Sequence, residues 1–223
     1  HLARIGEVGV ELGVKLGDQK IEIKIDKEAK TLHIIDQGLG MSEEEVQKYI
    51  NEIAFSGAEE FLEKYKDTAK DSGIIGHFGL GFYSAFMVAS QVEILTKSFK
   101  DTPAVHWTCD GSPNYTLEPG TKEDFGTEII LHISEEDSEF LEESRITELL
   151  NKYNKFMPVP IKFGTKTETL EKPEDAKEED AAPTQEVDNI INNPTPAWTK
   201  QPADLEEKDY NSFYRELYPM QFE

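Results

Sequence analysis

Three observations predict an α+β fold for this 223-residue chain. Strand-like runs recur at hairpin spacing, capped helical stretches interrupt them, and the apolar period switches between two and about 3.6 from one kind to the other. The first run, "KIEIKID", alternates, with Ile21, Ile23 and Ile25 on one face. "TLHIID" follows after a charged turn as a second strand. "SEEEVQKYINEI" then opens a helix: Ser42 and Glu45 form a capping box, and Val46, Tyr49, Ile50 and Ile53 make one apolar stripe.

The next segment, "AEEFLEKYKDTAKDSG", is charged with few apolar residues, the composition of a cover rather than of core. "GIIGHFGLGFYSAFMVASQ" runs glycines 76, 79 and 81 into an apolar, small-residue helix. "VEILTKS", "AVHWTCD", "NYTLEP" and "GTEIILHI" read as four strands at hairpin-like spacing. "SEFLEESRITELLNKYNKF" is a helix turning Leu141, Ile146, Leu149 and Leu150 inward, and "MPVPIKF" an edge-like strand.

Composition then changes. Residues 166–188 are acidic, contain Pro and hold almost no large apolar group, so a solvated linker is expected there. Beyond it Tyr210, Phe213, Tyr214 and Leu217 take helical spacing, in a piece too short for a domain of its own. The division expected is 1–165 for a first domain, 166–188 for the linker and 189–223 for the opening of a further domain.

Charge and composition exclude several classes. A net charge of −22 argues against nucleic acid or an anionic membrane as partner. Cys109 is the only cysteine, so neither a disulfide framework nor a thiolate metal cluster is available. No signal peptide opens the sequence, and its most apolar run is too short to cross a bilayer. A cytoplasmic protein in a reducing compartment is expected.

Two motifs bear on chemistry. In "DQGLGM" the strand ends on Asp36, and Gly38 and Gly40 follow. A carboxylate there can accept from an exocyclic amine such as that of adenine, the glycines leave room for a flat ring, and Met41 can pack on it. An ordinary Asx turn between strand and helix explains the same residues, and on local grounds explains them better. In "GIIGHFGLGF" the glycines offer backbone N–H groups suited to phosphate oxygens. Tight helix-to-sheet packing is the competing reading. No Gly-Lys-Ser/Thr follows, so this is not a P-loop, and no βαβ unit surrounds it, so it is not a Rossmann turn. Together the motifs place a base at one end and phosphates at the other, with residues 57–75 between them as a lid. Thr127, at the start of "GTEIILHI", adds a second polar contact to the base or is a plain strand threonine.

D-x-G-x-G-M before a capped helix, then "IAFSG", "IIGHFGLGFYSAFMV", "FLEESRITELLNKYNKFMPVPI" and "NPTPAWTKQP…YNSFYRELYP", resembles the nucleotide-binding domain of the 90-kDa heat-shock chaperones in their bacterial form. The resemblance spans nearly the whole chain apart from the acidic stretch. It implies a two-layer α/β sandwich, the Bergerat-type ATP fold shared with gyrase, MutL-type repair proteins and sensor histidine kinases. It further implies that Asp36 binds the adenine amine, that Gly40 and Met41 line the base, and that Ile50, Ile53 and Ala54 wall the pocket. Gly76, His77, Phe78, Gly79, Leu80, Gly81 and Phe82 would form the phosphate-binding turn. Phe82 would also close the base and ribose pocket, and Thr127 would complete the network around adenine.

The cofactors implied are ATP and ADP, with Mg2+ in the complete protein. The partners implied are unfolded client proteins and a second copy of the chain. Three departures stand out. Tyr49 takes the place of a ribose-side Asn, and Phe55 that of a Lys before the Ser-Gly pair. The first strand and the helix carrying E-x-x-x-N, source of the catalytic Glu and the magnesium-binding Asn, are not found ahead of Asp36. No catalytic residue or metal ligand is therefore assigned.

The first reading is an ATP-dependent chaperone whose nucleotide switch lies here. A sensor kinase would need a phospho-acceptor His on a dimerisation helix, and none of the five histidines sits on one. A repair ATPase would lack the "WTKQP" piece. A hydrolysis-incompetent scaffold is the alternative for the residues in view.

Overall fold

The computed structural model describes residues 19–51, 81–169 and 184–218. Its centre is one eight-stranded sheet in the order β5-β4-β3-β6-β2-β1-β7-β8. Strands β1 (Ile21–Asp26) and β2 (Thr31–Asp36) form the expected antiparallel hairpin. β3 (Ala89–Lys97), β4 (Val105–Cys109) and β5 (Tyr115–Pro119) follow as a meander. β6 (Gly126–Ile133) does not continue it; it crosses back and inserts between β3 and β2.

β7 (Ile161–Thr169) pairs parallel with β1 and antiparallel with β8 (Thr184–Ile190). "MPVPIKF" is thus no edge strand. Pro158 and Pro160 precede the ladder instead of interrupting it, so neither removes a needed N–H. Residues 166–169 and 184–188, expected in a solvated linker, lie in β7 and β8. Backbone pairing and ion pairs hold them where apolar burial does not: Lys162 bridges Glu22 and Asp188 at 2.9 Å each.

The helix α1 (Glu43–Tyr49) starts at the expected capping box, Glu45 N–H to Ser42 Oγ and Ser42 N–H to Glu45 Oε2. The apolar stretch Gly81–Met87 is 3-10 rather than α-helical. It has two turns before the chain enters β3, and the Tyr83 hydroxyl ties it to the Ile50 carbonyl at 2.6 Å. The long helix expected after β6 is broken in two, a 3-10 segment Glu135–Leu141 and α2 (Glu143–Tyr153), parted at the extended residue Glu142.

These elements cover one face of the sheet. Val46, Leu141, Ile146 and Leu150 bury there against Ile23, Leu32, Val92, Ile94, Trp107 and Leu131. α3 (Glu207–Leu217) docks on the end of α2, where Phe156, Trp198 and Phe213 pack ring on ring with centroids 4.7–5.9 Å apart. Asn192 closes the joint, donating to the Met157 and Val159 carbonyls at 2.8 Å and accepting the Ile161 N–H at 2.7 Å. Of the α3 stripe, Tyr210, Tyr214 and Leu217 remain exposed and only Phe213 is half-buried. Among the described residues no helix is long and apolar enough to cross a membrane.

Candidate functional site

Side chains alternate between the two faces of a strand, so register decides which residues can meet. Asp36 pairs with Thr127 across β2–β6, and Thr127 pairs with Thr96 across β6–β3. The three form one row on the helix-covered face, one step from the apolar row Ile34–Ile129–Ile94–Trp107. A polar row therefore adjoins the core where the strands end.

Asp36 Oδ1 accepts the Gly38 N–H at 2.8 Å, the Asx turn anticipated as the plain reading of "DQG". Burial pushes the carboxyl above the ordinary 3.8, outweighing the Gly38 and Thr127 N–H groups and the Lys122 charge, which all pull it down. A carboxylate short of hydration gains most from a new hydrogen-bond donor.

The loop from Gln37 to Ser42 runs across the ends of β6 and β3. The Phe99 N–H donates to the Leu39 carbonyl at 2.9 Å, and the Met41 N–H to Thr96 Oγ1 at 2.9 Å. Gly40, at φ +61°, passes so close that a Cβ would meet the Lys97 carbonyl oxygen at 1.8 Å. Gly126, at φ +121°, lies likewise against the Asp36 carbonyl, 2.3 Å from its ideal Cβ. Both glycines are needed where backbone meets backbone. Thr96, fully buried, is the hub: besides the Met41 N–H, its Oγ1 lies 3.1 Å from the Gly126 carbonyl and 3.0 Å from Thr127 Oγ1.

Of the residues singled out in the sequence, Asp36, Gly40, Met41 and Thr127 come together here. Ile50 and Phe82 pack on the same core cluster as Met41. Gly81 opens the 3-10 segment and is exposed. Ile53, Ala54, Gly76, His77, Phe78, Gly79 and Leu80 lie outside the described residues, as does the expected lid. Sequence reading missed Thr96. Its signal was parity: in "VEILT" the alternation that buries Val92 and Ile94 also buries Thr96, a polar side chain in core phase. It gave Asn51 no role either; the Asn51 Oδ1 accepts the Trp107 indole N–H at 2.8 Å, while its Nδ2 is buried with no partner among the described residues. Among the described residues no group of three or more His, Cys, Asp or Glu side chains is arranged to hold a metal.

Residues 16–123 match the family model for the histidine kinase-, DNA gyrase B- and HSP90-like ATPase. The chain is 54% identical over 220 residues to the chaperone protein HtpG of Porphyromonas gingivalis and to that of Bacteroides thetaiotaomicron, covering 98% of this chain and 30% of each relative. It is 40% identical over 202 residues to the chaperone protein HtpG of Bacillus subtilis, covering 88% of this chain and 31% of the relative. The chain thus spans about a third of the length of the relatives it matches.

Proposed function

Because this chain belongs to the HtpG family of chaperone proteins and carries an ATPase domain of the HSP90-like kind, we propose that it binds an adenine nucleotide at the Asp36–Thr127 end of the sheet and acts as the nucleotide switch of an ATP-dependent chaperone. The observation that carries this reading is the row Asp36–Thr127–Thr96. It is a polar edge on an apolar core face, headed by a carboxylate whose proton affinity is raised by burial. Such a carboxylate suits an exocyclic amine, and the adjoining core residues Met41, Ile50 and Phe82 suit the faces of a flat base.

In this reading Asp36 accepts from the adenine amine, Thr127 makes the second polar contact, and Gly40 sets the path of the loop that carries Met41. Ile53 and Ala54 extend the wall, and Gly76, His77, Phe78, Gly79, Leu80, Gly81 and Phe82 receive the phosphates through backbone N–H groups. Magnesium, when bound, would neutralise phosphate charge. Nucleotide occupancy would set the position of residues 57–75, and in the whole protein this would govern closure of a dimer on client proteins.

The test is calorimetric titration of the chain with ADP, with and without magnesium, beside Asp36→Asn. The amide turns a donor toward the amine, so binding should weaken by about 10- to 100-fold, the worth of a charged hydrogen bond. Equal affinity in the variant would remove Asp36 from the site. A parent chain that binds no ADP would make this segment a scaffold.

A further inference from the structure

We propose that Thr96, which is fully buried, is the positioning residue that gives the site its preference for an amine over a carbonyl, by fixing the proton of the Thr127 hydroxyl. The inference rests on the nucleotide reading above and goes one residue beyond it.

Thr96 Oγ1 has three neighbours: the Met41 N–H at 2.9 Å, the Gly126 carbonyl at 3.1 Å and Thr127 Oγ1 at 3.0 Å. Its hydroxyl carries one hydrogen. The Met41 N–H can only donate and the Gly126 carbonyl can only accept. All three contacts are satisfied together in one arrangement: Thr96 donates to Gly126, and Thr127 donates to Thr96. Reversing the pair would deprive the Gly126 carbonyl of this donor.

The Thr127 proton is therefore turned inward, and its oxygen faces outward as an acceptor. Thr127 neighbours Asp36 in the register, and Asp36 when ionised is acceptor only. Two acceptors side by side match a group with two hydrogens, the –NH2 of adenine. They oppose a carbonyl at the same position, as in hypoxanthine. Freed from Thr96, the Thr127 hydroxyl could turn its proton outward and serve either group. Specificity for the base thus depends on a residue one strand away from it. The same Thr96 oxygen holds the Met41 N–H, so one buried hydroxyl sets both the loop and the acceptor.

The experiment compares ADP with inosine 5′-diphosphate on the parent chain, Thr96→Val and Thr96→Ser. Valine keeps the shape and removes the hydroxyl; serine keeps the hydroxyl. The ratio of the two dissociation constants should fall about tenfold in Thr96→Val, one hydrogen bond's worth, and return in Thr96→Ser. A general loss of packing would weaken both ligands and leave the ratio alone. An unchanged ratio in a Thr96→Val chain that still binds ADP overturns the role of Thr96 and spares the nucleotide reading. A parent chain that binds neither ligand overturns both. Should the valine variant not fold, the parent chain decides: a Thr127 hydroxyl proton held in a hydrogen bond, seen by NMR as slow to exchange with water, supports the arrangement, and one exchanging like a surface threonine overturns it.

Discussion

The Trp107 indole N–H donates to Asn51 Oδ1 at 2.8 Å and so pins the chain just past α1 to β4, one strand in from the β5 edge of the sheet. Trp107 is almost wholly buried, and its ring also meets Phe82 edge-on at 5.6 Å. Two aromatic donors thus hold the end of α1, since Tyr83 takes the neighbouring Ile50 carbonyl.

The two partners should not be equivalent under substitution. Asn51→Ala orphans a buried indole N–H but also removes an Nδ2 that has no partner among the described residues, so a loss near 1 kcal/mol is expected, roughly the low end for a buried donor left unpaired. Trp107→Phe opens a void and orphans the amide oxygen as well, and should cost about 3 kcal/mol. Urea unfolding of both variants checks the order. Equal losses would mean that the void adds nothing beyond the hydrogen bond both variants remove.

The glycines make a sharper contrast. Gly126→Ala would put a Cβ against the Asp36 carbonyl and hold a left-handed φ with a side chain, which costs about 1–3 kcal/mol before any clash is counted. Gly40→Ala meets the Lys97 carbonyl still closer and should be the worse of the two. Gly81→Ala meets nothing within 4 Å and should change stability by under about 0.5 kcal/mol. Thermal unfolding of the three orders them, and a tolerated Gly40→Ala would contradict the path of the loop.

Asp36 should trade stability for binding. Its folded carboxyl holds a proton to higher pH than the unfolded one, because burial raises it above 3.8. Stability from this group therefore falls as pH rises from about the unfolded value through the folded one. Asp36→Asn removes that penalty, so the variant should be more stable than the parent at neutral pH while losing ADP. The difference should close below about pH 3.8, where both states of the parent are protonated. Denaturant midpoints at the two pH values provide the check, and a variant less stable at neutral pH would refute the sign.

Glu93 should act in the opposite sense. On the sheet face away from the helices it lies between His106 at 2.6 Å and His132 at 2.5 Å. Burial pushes its carboxyl up, but the hydrogen bonds and charges of the two histidines outweigh it, and the net shift is downward from 4.5. The stability this gives is present above the unfolded value and is lost as pH falls through the folded one. Glu93→Gln should flatten that part of the acid limb between about pH 4.5 and lower values. An unchanged acid limb would show that the bridge does not survive in solution.

Local features were legible in the sequence and long-range ones were not. Alternation at Ile21, Ile23 and Ile25, the Ser42–Glu45 box and the inward residues of α2 each follow from a few consecutive residues. Strand order does not. The spacing from "NYTLEP" to "GTEIILHI" suggests neighbours, yet β6 leaves β5 and inserts between β3 and β2, where Leu131 and Ile133 are buried. β8 was hidden for another reason. It is held at the sheet edge by its ladder and by Asp188 with Lys20 and Lys162, so it lacks the apolar alternation that announces a strand. In the site, Asp36 and Thr127 were legible as types of residue. Their adjacency and the hub at Thr96 appear only once the register of three strands is known.

The parallel pairing of β1 with β7 has a consequence for synthesis. Ile21 leaves the ribosome well ahead of its partner Ile161, which follows only after β2 through β6 have been made. Until then the outer edge of β1 offers unpaired backbone groups to any passing strand. The newborn chain must spend that interval with an open seam, and folding of the sheet can close only when the segment around Ile161 arrives.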